Sequence, residues 1–372
     1  MCAMLNLNEF MNKGINNIAD TAGRFYFGNL KGQSFMLHTM SALRTSVKVR
    51  AEYEKNGIHI PPFLIASIAS SCNLHCAGCY ARANGGCSNE EARDEMGLAD
   101  WQHIFNEASQ IGISFILLAG GEPLLRRDII KLAAQYDSII FPIFTNGTMI
   151  DDGYLNLFDK HRNLIPVLSM EGNETQTDKR RGKGISEMLQ NTSAAFRKKG
   201  ILYGVSLTVT SENKENVTDS GFVHDLRECG CGLIFYVEYV PVEKSTEYLM
   251  LNNEELRTLQ ERMASLRADK RNKGMTMLSF PGDEEAMGGC LAAGRGFFHI
   301  NASGRAEPCP FSPYSEINLK RQSMVEALQS PFFGKVHKIS AAEADNYKGG
   351  CTLFQCEKEV KQAFSAPRSC NE

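Results

Sequence analysis

The sequence predicts an α/β protein in which parallel strands and helices alternate, preceded by a helical extension and followed by a small α+β region. Three observations carry this. Between Pro61 and about Pro241, short apolar runs alternate with longer amphipathic stretches, the rhythm of βα units around a parallel sheet. Before that region, Phe35, Met36, Met40, Leu43 and Val47 recur at helical spacing. After it, cysteines flank a short strand-turn-strand pattern. The 372 residues, 43% of them apolar, suffice for one large domain and a smaller appendage.

Residues 1–60 read as a mostly helical lead-in, with Arg44, Lys48 and Arg50 between the apolar positions. Packing on the main domain is the plain reading; a peripheral membrane contact is the alternative for a basic amphipathic segment. Residues 61–243 hold six expected strands: Phe63 through Ala69, Ser114–Leu118, Ile139–Thr145, Leu164–Met170, Tyr203–Thr210 and Leu233–Val240. The expected helices between them are Leu98–Ile111, Arg126–Tyr136, Asp151–Lys160, Ile185–Lys199 and Asn216–Cys229. Residues 244–372 form the appendage. There Phe297–Ile300 reads as a strand, Asn301–Gly304 as a hairpin turn and Arg305–Glu307 as the returning strand.

Composition narrows the partners. Forty basic against 43 acidic residues leave a net charge of -3, which gives no broad positive field for a nucleic-acid backbone. No apolar run is long enough to cross a bilayer, and the N-terminus lacks the order of a secretory signal, so a cytoplasmic location is expected. Twelve cysteines in a reducing compartment point to metal ligation, catalysis or burial rather than disulfides.

In a barrel of parallel strands, active-site groups come from the loops after the C-terminal strand ends. Cys72, Cys76 and Cys79 follow strand one, Gly120-Gly121-Glu122-Pro123 follows strand two and Asn146-Gly147 follows strand three. Ser169 closes strand four and Thr210 closes strand five. Three thiolates on the tight loop CNLHCAGCY suit three corners of a cubane iron-sulfur cluster and leave one iron open to the amino and carboxylate donors of a methionine moiety. Two other readings stay open. The three positions share one face of a helix, where they would be buried core, and His75 would complete a zinc site. Asn73 and Gly78 favour a loop over a helix interior.

These features together resemble the radical S-adenosylmethionine (SAM) superfamily, whose members carry a C-x3-C-x2-C loop after the first strand of a partial (βα)6 barrel. The Gly120–Pro123 segment looks like the family's GGEP turn, whose backbone and acidic residue receive the SAM ammonium group. Leu168-Ser169-Met170-Glu171-Gly172 with Arg180-Arg181-Gly182 resembles the "SxDG…RG" stretch, which implies carboxylate and ribose contacts through Ser169 and Arg181. Glu171 stands where Asp is commoner. Thr208-Val209-Thr210 and Asn213 resemble the fifth-strand adenosine contact. The position before the third cysteine, often aromatic in the family, is Gly78; Tyr80 is a partial substitute for adenine stacking or a barrel-packing residue.

The segment from Cys290 to Cys309 reads C-x13-G-x4-C, and a hairpin would bring these two cysteines together. Cys351 and Cys356, in GGCTLFQC, would close a four-thiolate site, with Cys370 competing for the last place. The region resembles the auxiliary-cluster part of SPASM or twitch radical SAM proteins, and the number of thiols suits the one-cluster twitch type. A zinc ribbon or reduced structural cysteines remain alternatives. Burial is the plain reading of Cys229 and Cys231, and a substrate-facing thiol is one reading of Cys87.

The resemblance implies two 4Fe-4S clusters, SAM as cosubstrate, and an electron donor such as flavodoxin or ferredoxin. It also implies reductive cleavage of SAM to a 5′-deoxyadenosyl radical that takes hydrogen from a peptide or small-molecule substrate. The rival from another class is a non-catalytic iron-sulfur electron carrier or metal-binding scaffold. Such a carrier would need no SAM pocket, so the GGEP-like and Ser169–Arg181 stretches speak against it.

Overall fold

The computed structural model describes residues 21, 30–90, 92–242, 244–344 and 349–365. Its ten-stranded sheet runs in the order β10-β9-β8-β1-β2-β3-β4-β5-β6-β7. Strands β1 (Phe63–Ala69), β2 (Phe115–Gly120), β3 (Phe141–Thr145), β4 (Leu164–Met170), β5 (Tyr203–Val209) and β6 (Cys231–Glu238) are parallel neighbours, as the βα rhythm predicts. The sequence reading missed β7 (Thr276–Phe280), a seventh parallel strand on the free edge of β6. Helices Leu98–Ile111, Asp152–Lys160 and Ile185–Lys199 lie within a residue of expectation. Helix Arg127–Ala133 is shorter than expected, and the fifth expected helix starts later, at Ser220.

Alternation decides which residues face the barrel interior. Along β1, Leu64, Ala66 and Ile68 are fully buried in a core shared with Trp101, Ile104 and Phe105 of the covering helix. Phe63, Ile65 and Ser67, on the opposite face, are half-buried and point inward.

The N-terminal helix Leu30–Lys55 closes the bottom of the barrel. Leu43, Phe35 and Met36 form a separate apolar cluster with Phe115, Ile140, Ile165, Leu202 and Leu233, which sit at or just before the N-terminal ends of β2 to β6. Arg50 fastens this helix by donating to the carbonyl of Gly112 and to Ser114 Oγ, the latter at 2.9 Å. The apolar face of the helix is thus spent on the protein.

The C-terminal hairpin forms as expected, although its first strand is only His299–Ile300 (β8), paired antiparallel with Arg305–Glu307 (β9). Ile317–Asn318 (β10) adds outside β9. Strand β8 pairs parallel with β1, so the hairpin continues the barrel sheet. Across the remaining gap, Phe297 contacts Phe63 of β1 and Phe280 of β7 edge-on, with ring centroids 6.2 and 5.5 Å apart.

Candidate functional site

Cys72, Cys76 and Cys79 lie on an irregular loop at the C-terminal end of β1, each partly exposed, so the buried-helix reading is wrong. A helical turn begins only at Tyr80, with Cys79 as its cap. Gly78 adopts φ +65°, and a Cβ there would stand 2.5 Å from Tyr239 Oη, so the loop needs glycine on both counts. Tyr239, just beyond β6, therefore occupies the space beside Gly78 that a larger residue would fill. Proximity to Cys87 draws the Cys72 thiol's pKa down to about 6, and the same proximity pushes that of Cys87 up. Burial pushes the Cys76 thiol up, opposed by the charges of Arg181 and Arg180.

The GGEP-like turn locks against this loop. Gly121 N–H donates to Ala69 O at 2.7 Å and Glu122 N–H to Ser71 O at 2.9 Å. A Cβ on Gly121 would lie 2.0 Å from Ser71 O, which only glycine avoids. Glu122 is buried and turned toward β3: its carboxylate accepts from Thr145 Oγ1 at 2.7 Å, Asn146 N at 2.8 Å and Leu124 N at 3.0 Å. Burial raises its pKa to about 7, against those three hydrogen bonds. Pro123 opens the short turn that follows. Asn146 reaches the cysteine loop through a 2.9 Å bond from its Nδ2 to Asn73 Oδ1, with Cys72 Sγ at 3.9 Å.

On the next two strands the expected residues take different roles. Ser169 sits in register with Ser206 and is half-buried on the inner face. Arg181 pairs with Glu171 at 2.6 Å, yet so does Arg180, at 2.7 Å. Arg180, which the motif reading passed over, also donates to Thr208 Oγ1 at 2.6 Å and to Ala77 O at 3.0 Å, inside the cysteine loop. Glu171 Oε2 is buried and has no protein partner. Thr210 is committed locally: its N–H and hydroxyl both bond Asn213 Oδ1, at 2.7 and 3.0 Å. Asn213 in turn donates to Glu171 O and Thr208 O, tying the ends of β4 and β5 together.

Around the hairpin, Cys290 and Cys309 are buried, and each lies within the electrostatic field of Cys351. Burial pushes all three thiols up, Cys351 to about 12. Cys356 is buried too, but its charged neighbours are Glu343 and Glu359. Cys370 lies outside the described residues. Tyr80 packs its ring on Phe311, centroids 5.0 Å apart, two residues beyond Cys309, and its phenol is raised by burial and by Cys79 and Cys309. It therefore bridges the two thiol regions. Among the described residues, no three His, Cys, Asp or Glu side chains are drawn together closely enough to hold a metal ion. Cys231 is buried as expected, whereas Cys229 is exposed because it follows the last turn of helix Ser220–Glu228.

Soft thiols on a glycine-turned loop, with cationic Arg180 and Arg181 beside them, suit a sulfide-bridged iron cluster. The orphaned Glu171 Oε2 beside that loop suits a hydroxyl donor such as a ribose. A family model, "Radical SAM superfamily", matches residues 67–220. Residues 67–220 are thus a radical SAM domain. That family implies SAM and a 4Fe-4S cluster as cofactors. Fe-coproporphyrin III synthase of Methanosarcina barkeri is 29% identical over 45% of this chain, which spans 41% of that relative's length. AdoMet-dependent heme synthase of Methanosarcina barkeri is 23% identical over 80% of the chain and 89% of the relative. Streptococcus suis SuiB, solved bound to precursor peptide SuiA, has a TM-score of 0.65 at 19% identity, covering 85% of this chain and 76% of SuiB. That likeness is one of fold. No described helix of this protein is long and apolar enough to cross a membrane.

Proposed function

We propose that this radical SAM protein is an enzyme of the oxidoreductase or transferase type that takes hydrogen from a peptide or small organic substrate held inside the barrel. When bound, the cluster and SAM together supply reductive carbon-sulfur cleavage to a 5′-deoxyadenosyl radical. The observation that carries the reading is the convergence on one loop of the three cysteines, the Gly120–Pro123 turn, Asn146 and the Arg180–Glu171 pair.

Each residue has a task in this reading. Cys72, Cys76 and Cys79 hold the cluster. The Gly120–Pro123 turn positions the SAM amino group, Ser169 and Arg181 its carboxylate side, Glu171 the ribose, and Tyr80 and Thr210 the adenosine wall by packing. Leu43, Phe35 and Met36 seal the barrel bottom against water, which would quench a radical. Residues 244–372 are the auxiliary-cluster region, with Cys290, Cys309, Cys351 and Cys356 as ligands of a second 4Fe-4S cluster, and flavodoxin or ferredoxin is the electron donor in a cytoplasmic setting. Two surface cavities, about 390 and 240 Å³, are lined by helical residues such as Glu187 and Met188 or Lys131 and Lys160.

Anaerobic reconstitution tests the reading. It requires iron and acid-labile sulfide for two clusters, and 5′-deoxyadenosine after addition of SAM and dithionite. Replacing Cys72, Cys76 and Cys79 together by alanine should abolish 5′-deoxyadenosine and half of the iron. Replacing Cys290 and Cys309 should remove the other half. Iron without SAM cleavage would favour the electron-carrier reading instead.

A further inference from the structure

A hydrogen-bonded chain of three side chains runs from the hairpin to the inner wall of the barrel. His299 Nδ1 lies 2.7 Å from Glu307 Oε2, and His299 Nε2 lies 2.8 Å from Ser67 Oγ. Asn301 Nδ2 donates to the other oxygen, Glu307 Oε1, at 2.6 Å. Both carboxylate oxygens therefore accept, which sets His299 in the tautomer with hydrogen on Nδ1 and leaves Nε2 to accept from Ser67. His299 and Glu307 are 5% and 4% exposed, while Ser67 is half-buried on the inward face of β1. The chain thus has one end open to the barrel interior and the other sealed.

Anchoring the hairpin does not explain the residue types. Strand β8 is already bonded to β1, and Phe297 already clasps both sheet edges. Among the described residues the only ion-pair partner of Glu307 is His299. Burying a carboxylate carries a desolvation cost that apolar side chains at these positions would not. What the arrangement offers in return is a relay: Ser67, His299 and Glu307 stand in series at 2.8 and 2.7 Å, the order in which a hydroxyl hands its proton to an imidazole oriented by a carboxylate.

We propose that Ser67, His299 and Glu307 form a proton-accepting site on the barrel wall, serving a substrate that presents an exchangeable hydroxyl or amide proton to Ser67. Ser67 Oγ receives the substrate proton as its own passes to His299 Nε2; no electron moves in this step. The inference rests on the reading that the substrate sits inside the barrel, and it adds the acid-base group that reading lacks.

The test uses the full-length purified protein and a small alkyl fluorophosphonate carrying a reporter tag. A Ser67 oxygen whose proton can pass to His299 attacks phosphorus, the P–F bond breaks and fluoride leaves, and peptide mass spectrometry locates the adduct. Labelling at Ser67 is expected, with none there in Ser67→Ala. His299→Gln and Glu307→Gln should each slow it by about a hundredfold, a loss in the range seen for removing a general base. Thermal melting of each variant shows whether it is folded, and Glu307→Gln keeps the bond from Asn301 should His299→Gln fail to fold. An unlabelled Ser67 in the folded parent, or equal labelling rates in parent and variants, overturns the proposal. Because labelling needs neither SAM nor reductant, failure of the radical reading would show separately, as no 5′-deoxyadenosine.

Discussion

Arg180 and Ala77 hold each other through two reciprocal hydrogen bonds: Ala77 N–H donates to Arg180 O and Arg180 Nε donates back to Ala77 O, both at 3.0 Å. Ala77 lies between the second and third cysteines of the loop, so a residue more than a hundred positions later sets the loop's shape. The same guanidinium bonds Glu171 and Thr208, which makes it a fixed fork rather than a mobile surface charge.

Arg180→Lys should therefore loosen the thiol loop although charge is kept, since an ammonium cannot reproduce the fork. Iron retained after gel filtration of reconstituted protein should fall by roughly tenfold in half-life, within the range for residues that support metal ligands. Unchanged iron retention would show the loop to be held by its other contacts.

Gly78→Ala should destabilise the fold by about 1–3 kcal/mol, because the left-handed backbone is strained with a side chain and the new Cβ meets Tyr239 Oη. Tyr239→Phe removes that oxygen. Urea denaturation of the double variant should recover part of the loss, whereas strictly additive losses would show that backbone strain acts alone.

Glu238, at the end of β6, has its pKa raised to about 7 by burial and by Asp283 nearby, and Glu284 is likewise raised to about 8. A carboxyl raised in the folded state contributes no penalty below its unfolded value near 4.5. Above that, the unfolded chain ionises first, so stability declines as pH rises and levels off once Glu238 itself ionises near pH 7. The loss attributable to Glu238 is roughly 3 kcal/mol. Denaturation midpoints measured from pH 4.5 to 8 should fall in the parent, and Glu238→Gln should flatten part of the slope; a slope identical in the variant would place the effect on other groups.

Leu43→Ala should cost about 2–4 kcal/mol, as for other buried leucines, because it opens the plug under β2 to β6. Leu37, on the same helix but 77% exposed, is the control, and its alanine variant should stay within about half a kcal/mol. Equal effects of the two would mean the helix does not seal the barrel.

Much of this protein is local in origin and so was readable along the chain. The three-cysteine spacing, the βα rhythm from Pro61 onward, the Asn301–Gly304 turn and the apolar stripe with Phe35, Met36 and Leu43 all depend on neighbours a few residues apart. Periodicity and turn chemistry specify such features before any tertiary contact forms. Strand β7 escaped because it follows the long helix Asn253–Ala268 beyond the expected end of the barrel, and its short run carries no motif.

Other relationships exist only because segments far apart along the chain meet in the folded protein. Cys87 reaches Cys72, Tyr239 covers Gly78, and Arg180 rather than Arg181 grips the cysteine loop. Ser67 meets His299 across 232 positions because β8 pairs with β1, and no spacing rule links them. The sequence by itself determined the elements and the thiol loop, since each is encoded by short-range pattern. Only the tertiary structure decided which side chains share the barrel interior, because strand order and register, not distance along the chain, bring them within hydrogen-bond reach.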